Sequence, residues 1–332
     1  MNQDAAGSPA VGLLIVDKAE GPTSHDVVSA ARRALGIRRI GHTGTLDPMA
    51  TGVLVLMLGG ATRLAPQMTG HRKLYAGEGR LGWATDTYDR TGQPLGPEAH
   101  QVVLDSLRLA EAAADLTGEI LQAPPPYSAR KVDGVRLYRH ARRGNQVEGR
   151  TVKIQVVRFA VRATSHNRFQ FTAEVSTGTY IRALVHDLGQ KLGYGAHLTA
   201  LRRLQTGPFL LEDALPQKDL AGLRSQGLRS PYFVPFHRIP LALPVIRVSP
   251  ADQDNLRHGR PARPNPGPDP GTGLMQARDH DDRLIALVGP DPENPGHIVP
   301  QRVFAPPPGV LTPPVPNASV SPIPRDEKKR IR

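Results

Sequence analysis

Cysteine is absent from the 332 residues, which excludes a disulfide framework, a thiolate metal site and a cysteine nucleophile. Aromatic residues are scarce at 5%. That is low for a surface that reads single strands mainly by stacking, so shape and phosphate recognition are the better expectation. No uninterrupted apolar segment approaches the ~20 residues of a membrane span. Residues 1–10 are polar without a basic start, and the apolar run 11–16 is too short for a signal core, so a cytoplasmic protein with no membrane partner is expected. Acidic charge is the remaining shortage. Against 42 Lys+Arg stand 30 Asp+Glu, leaving a net charge of +12 and a pI near 10.3. Of the basic residues 34 are arginine, whose planar fork grips phosphate bidentately and stacks on bases. A GC-rich coding bias also enriches Arg, Ala, Gly and Pro. Charge therefore points toward a polyanionic partner without deciding it.

The chain's apolar periodicity sketches a fold. Residues 12–17 read as a buried strand. A helix starts near Pro22-Thr-Ser-His-Asp26, where Thr23 or Ser24 can cap and Asp26 suits the positive end, and it stops at Gly36. A short helix is expected over 61–68 and a strand over 74–81, bulged or loose at Gly77 and Gly79. Residues 102–116 read as an amphipathic helix with Val103, Leu107, Ala110, Ala114 and Leu116 near one face. After the rigid connector Ala123-Pro-Pro-Pro-Tyr-Ser128 come a helix over 136–143, strands over 152–162 and 168–175, and a helix over 183–192. Without clean βαβα alternation, the expected class is α+β: a mixed, largely antiparallel sheet with flanking helices. Short strands near 243–248, 283–288 and 298–304, with a Pro/Gly-rich insertion at 261–273, suggest a small β-rich module. The expected organisation is a flexible 1–10, a catalytic domain over 11–240, the β-rich domain over 241–304, and a Pro-rich basic tail, disordered, over 305–332.

The most informative stretch is Gly41-His-Thr-Gly-Thr-Leu-Asp-Pro-Met-Ala-Thr-Gly-Val-Leu54. It presents one carboxylate, Asp47, in a glycine-punctuated loop directly before an apolar strand, where a scaffold commonly displays reactive groups. Leu-Asp-Pro alone would be only a turn. Further motifs follow in order: Val-Asp-Lys18 upstream, then Lys73-Leu-Tyr75, Thr85-Asp-Thr-x-Asp89, Pro126-Tyr-Ser-Ala-x-Lys131, Gly178-Thr-Tyr-Ile-Arg182, Gly195-Ala-His-Leu198 and Leu201-Arg-Arg-Leu204. Together they resemble the bacterial tRNA pseudouridine synthases that modify the T-loop uridine, position 55 of tRNA. The resemblance spans residues 11 to about 210, and the C-terminal module resembles the PUA-like domain of the same enzymes.

The resemblance implies an isomerase that needs no cofactor, and a monomer that binds the T-arm stem-loop of tRNA without guide RNA. It implies Asp47 as the catalytic residue, Tyr75 and Arg182 as active-site partners, and His42, Lys18 and Tyr180 as substrate-binding pocket residues. The chemistry accords with these types. Breaking a C–N glycosidic bond, turning the base and forming a C–C bond to the same sugar needs one anion to hold an intermediate, and a carboxylate supplies it. A guanidinium binds both carboxylate oxygens and fixes their direction. Tyr75 can stack on a base and help remove the C5 proton. A uridine inside a folded loop must be extruded to be reached, and His42 can fill the vacated space or hold a phosphate. No His-Glu-x-x-His or comparable metal-ligand spacing occurs, and His25, His71, His140 and His258 read as incidental.

Overall fold

The computed structural model describes residues 11–304 except 100, 129, 133, 143–146, 148, 224–227, 229–230 and 265–272. The expectations for 1–10 and 305–332, and most of the Pro/Gly insertion, lie outside the described residues. The main sheet is built from β1 (Gly12–Lys18), β2 (Thr51–Leu58), β3 (Lys73–Leu81), β4 (Gly118–Gln122), β5 (Val152–Ser165), β6 (Arg168–Val175) and β7 (Ala196–Thr206). Their order across the sheet is β1-β2-β7-β3-β6-β5-β4, extended by short strands at the β1 end. Pairing is antiparallel except between β7 and β2 and between β1 and the short strand Leu215–Pro216. A mixed, largely antiparallel α+β architecture is what the sequence predicts. Among the described residues no helix is long and apolar enough to cross a membrane.

Side chains alternate across a strand, so each strand serves two layers. Leu14 and Val16 of β1, Leu54 and Leu56 of β2, and Phe169, Phe171 and Ala173 of β6 bury into one core with helices α1 (Ser24–Leu35), α2 (Ser106–Ala114) and α3 (Ile181–Leu192). Leu13, Ile15, Val53 and Val55 face the other way. They share a second core with Leu64, Met68, Leu284 and Leu287. The last two belong to a separate four-stranded sheet of β8 (Val245–Arg247), β9 (Met275–Arg278), β10 (Leu284–Pro290) and β11 (Ile298–Val303). That sheet also encloses a core of its own around Ile246, Leu256, Ala277 and Ile298. Leu256 comes from a helix, Pro250–Arg257, capped by Ser249. The sequence reading of this module as strands missed it because an eight-residue helix with one buried side chain has no apolar stripe.

Two expectations about local order change. The strand at Gly77 and Gly79 is neither bulged nor loose: β3 pairs with β6 without a register break from Lys73↔Val175 to Arg80↔Arg168. The glycines make room for aromatic rings. A Cβ on Gly77 would lie 2.4 Å from Phe171 Cζ, and one on Gly79 2.3 Å from Phe169 Cζ. The irregularities sit on the other side of β3, in its pairing with β7, at Leu198/Ala200 and Arg203/Gln205. Helix α2 begins later than expected, where Asp105 caps it by accepting from the Leu107 amide. It buries Leu109, Ala112 and Ala113, while Val103 and Leu107 are exposed. Alanine is indifferent to which face it occupies, so apolar counting picked the wrong stripe.

Helix α1 follows its sequence signals. Thr23 and Asp26 form a reciprocal capping box, and Gly36 ends the helix at φ 68°. Such a cap is worth about 1 kcal/mol. The helix thereby delivers Ser24 and His25 to the Asp47 loop.

Candidate active site

The loop between the short strand Ile40–His42 and β2 carries Asp47, and side chains from three elements hold it. From α1, Ser24 Oγ accepts the Leu46 amide at 2.8 Å and donates to the Leu46 carbonyl at 3.1 Å. From the end of β1, Lys18 Nζ donates to the carbonyls of Ala19, Pro48 and Ala50 at 2.9, 3.2 and 2.7 Å. From β7, Arg203 donates through Nε to the Val53 carbonyl at 2.6 Å and through Nη2 to the Gly44 carbonyl at 3.1 Å. All three residues are buried, Arg203 to 1% exposure. A buried donor left unpaired costs about 1–3 kcal/mol. Every cation here is therefore bound to loop carbonyls, and the loop is bound to them. Gly52 permits the contact: it adopts φ 101°, and a Cβ there would meet the Arg203 carbonyl oxygen at 2.1 Å.

Arg182, in the first turn of α3, closes on Asp47 side-on. Nε reaches Oδ2 at 2.9 Å and Nη2 reaches Oδ1 at 3.2 Å. Its remaining donors go to the carbonyls of Thr87 at 2.7 Å and Tyr127 at 3.0 Å, and Asp89 Oδ2 lies 3.6 Å from Nη1. Asp89 is itself fixed by the Thr87 hydroxyl and by the amide and hydroxyl of Thr91. The Arg182 side chain is 6% exposed and the Asp47 side chain 36%. The carboxylate is thus held rigidly yet remains reachable, which suits a group that must meet a substrate.

The other sequence-selected residues fall around this pair. Tyr75 is buried on β3, in register opposite Arg203 of β7. Tyr180 occupies the N-cap position of α3. Its backbone exchanges two hydrogen bonds with the Gln122 side chain, at 2.8 and 3.2 Å. Those bonds fix where the helix starts, hence where Arg182 points. Helix α3 begins at Ile181, two residues earlier than periodicity implied. His42 ends a strand paired with Leu56 instead of lying in the loop. Its ring meets that of His25 edge-on at 5.5 Å, so His25 is not incidental. Burial lowers the His42 pKa, with His25 and Arg203 adding to the effect.

Burial also depresses the pKa of Lys18 to about 8, partly opposed by Asp47. Lys73, nearly buried with Nζ on the His71 carbonyl, is lowered to about 8 as well, by burial and then by Arg203. Ser24, Lys73, Asp89, Gln122 and Arg203 escaped selection as site residues. For Asp89 and Arg203 the signal was present in Thr-Asp-Thr-x-Asp and Leu-Arg-Arg-Leu. For Gln122 there was none. An open cleft of about 660 Å³ borders the same loop, lined by Met49 and Thr51 together with Glu78, Arg162, Gln170 and Arg202, while Asp47, Tyr75 and Arg182 do not line it.

The chain and its mixed sheet are matched among proteins of known class. Residues 32–181 match the N-terminal domain of the TruB family pseudouridylate synthases, and residues 182–227 match the tRNA pseudouridylate synthase B C-terminal domain. The tRNA pseudouridine synthase B of Solibacter usitatus is 43% identical over 255 residues, covering 76% of this chain and 87% of that protein. That of Geobacillus thermodenitrificans is 34% identical over 299 residues, covering 88% and 99%. A chain from the structure of an H/ACA RNP bound to a substrate RNA shares the fold, with TM-score 0.67 and 24% identity over 89% of this chain and 86% of that one. The fold class is that of a pseudouridylate synthase. Within that class, the chain belongs to the TruB family.

Proposed function

We propose that this chain isomerises the T-loop uridine of tRNA, position 55, to pseudouridine, with Asp47 as the catalytic residue. The observation that carries the reading is the side-on Arg182–Asp47 pair, in which both carboxylate oxygens are fixed while the group stays partly open. In the reaction the C1′–N1 bond breaks and a C1′–C5 bond forms. The C5 hydrogen leaves as a proton and N1 ends protonated, so no electrons or outside atoms enter. An anion at Asp47 serves whether it attacks the sugar, attacks the base or assists elimination. Arg182 keeps that anion aimed throughout, a preorganised charge that need not reorient as the reaction proceeds.

Tyr75 stacks on the extruded base and helps take up the C5 proton. His42 supports extrusion from the side of the loop, and Tyr180 lines the pocket. Lys18 acts through the carbonyls of Pro48 and Ala50, so it serves the carboxylate by holding its loop. The working unit is a cytoplasmic monomer that grips the T-arm through arginine–phosphate contacts and needs neither cofactor nor guide RNA. Residues 11–240 do the chemistry, and the PUA-like 241–304 widens the RNA footprint.

The test is incubation of the purified chain with unmodified tRNA and no guide RNA, followed by mapping of pseudouridine at every uridine. A single product in the T-loop is expected. Product that appears elsewhere, or only when a guide RNA is supplied, would defeat the reading.

A further inference from the structure

Tyr88 has a left-handed backbone, φ 63°, in a region that bulky side chains normally avoid. Its neighbour Thr87 supplies a carbonyl to Arg182, and Asp89 supplies a carboxylate to the same guanidinium. The strained residue is therefore the middle of the turn that presents both acceptors. The Tyr88 ring lies flat against the His186 ring, with centroids 3.8 Å apart and planes 11° from parallel. His186 follows Arg182 by four residues on α3, so the two side chains share one helix face. The stack thus joins the helix that carries Arg182 to the turn that Arg182 grips.

Backbone bonds pin the turn from its other side. The Leu198 amide donates to the Tyr88 carbonyl at 3.0 Å, and the Arg90 amide donates to the Leu198 carbonyl at 2.8 Å. Strain of this sort persists only where the surroundings over-determine it.

We propose that Tyr88 and His186 form a positioning clamp: their stacked rings hold the Thr87–Asp89 turn against α3 and thereby fix Arg182 on Asp47. This inference rests on the reading of Asp47 and Arg182 as reactive groups. Both rings act on the carboxylate through Arg182. Loss of either ring frees the turn to relax from its strained conformation. The Thr87 carbonyl and the Asp89 carboxylate then withdraw, and the guanidinium loses one hydrogen bond and one ion-pair partner. A small misplacement of such a pair lowers the rate of the chemical step without weakening capture of RNA.

Tyr88→Ala, Tyr88→Phe, His186→Ala and His186→Phe test this, with Asp47→Asn alongside. The measurements are single-turnover rate at saturating enzyme on unmodified tRNA, tRNA Kd and thermal midpoint. Both alanine variants should lose about tenfold or more in rate. Both phenylalanine variants, which keep the stack, should stay within about twofold, and every Kd should stay within about twofold. Alanine variants with full rate would overturn the clamp. So would alanine variants with raised Kd but unchanged rate at saturation, since Tyr88 would then be an RNA contact. Phenylalanine variants as slow as the alanine ones would also overturn it, because stacking would not be what matters. Should Tyr88→Ala fail to fold, His186→Ala carries the test, because alanine is the best helix former. An active Asp47→Asn would defeat the underlying reading; an inactive one beside unimpaired alanine variants would defeat the clamp alone.

Discussion

Arg203 of the main sheet and Arg278 of the C-terminal sheet are both buried arginines, at 1% and 6% exposure, but their partners differ. Arg278 donates to the Gln276 side chain, to the His237 and Asp282 carbonyls, and to the Asp282 carboxylate, which is 62% exposed. It is a tie between its sheet and the incoming chain, with an acid at hand. Every hydrogen bond recorded for Arg203 ends on a backbone carbonyl. Its neighbours Lys18 and Lys73 are also cations, and both are depressed to about 8 with Arg203 among the causes. A buried, carbonyl-bound cation beside two buried lysines is a poor way to stabilise a fold. It is a good way to hold a carboxylate loop in a positive surround. The two arginines show one side chain serving cohesion in one sheet and placement in the other.

The contrast breaks most visibly on replacing each arginine by methionine. Arg203→Met should lower unfolding free energy by no more than about 1 kcal/mol, because the burial cost of the cation is removed together with its bonds to the Gly44 and Val53 carbonyls. It should also slow single-turnover isomerisation at least about tenfold as the loop drifts. Arg278→Met should cost about 1–2 kcal/mol and leave the rate at saturation unchanged. Urea denaturation and single-turnover assays of the pair decide. Equal rate losses in both would erase the distinction drawn between the two sheets.

A subtler test uses pH. Burial, and then Arg203, hold the Lys73 pKa at about 8, below the 10.5 of a free lysine. Between those values the unfolded chain binds more protons than the folded one, so stability should rise with pH across that window. Below about pH 8 the lysine is charged in both states and its burial cost is paid in full. Lys73→Met should make the rise between about pH 8 and 10 shallower, leaving the part that Lys18 contributes, read by denaturation at each pH. A curve that instead falls equally in both proteins would mean that Lys73 is not desolvated as described.

The smallest expected effect concerns RNA capture. Binding to tRNA should weaken as salt rises, with log Kd linear in log salt, because arginine–phosphate contacts release counterions. Truncation is a poor probe of the C-terminal sheet's share, since Leu284 and Leu287 pack into the core behind β1 and β2. Charge-reversing substitutions at exposed positions of the same module, such as Arg260→Glu, are cleaner. A salt slope that is flat in the full chain would contradict capture by charge.

What could be read from the sequence follows the physics of each signal. Strands β1 and β2 and helix α1 were legible because apolar runs and a capping pair are local properties. Asp47 and Arg182 were legible because their motifs are long and ordered. The alternation that places Tyr75 and Arg203 in register, 128 positions apart in the chain, is set by pairing and by two irregularities in β7. No local pattern encodes that. Gly77 and Gly79 misled because a glycine in a strand signals looseness, whereas here two phenylalanine rings occupy the space their side chains would take. Asp89 and Arg203 lay inside quoted motifs, yet their partners come from distant segments, and only the fold reveals which carbonyls and which guanidinium they meet.

The central claim is that one rigidly held carboxylate carries the isomerisation. The most direct measurement is the single-turnover rate of Asp47→Asn on unmodified tRNA at saturating enzyme, with Kd measured in parallel. The amide keeps the shape and loses the anion, so the rate should fall by roughly 10³-fold or more while Kd stays within about twofold. Near-normal turnover by Asp47→Asn would contradict the account.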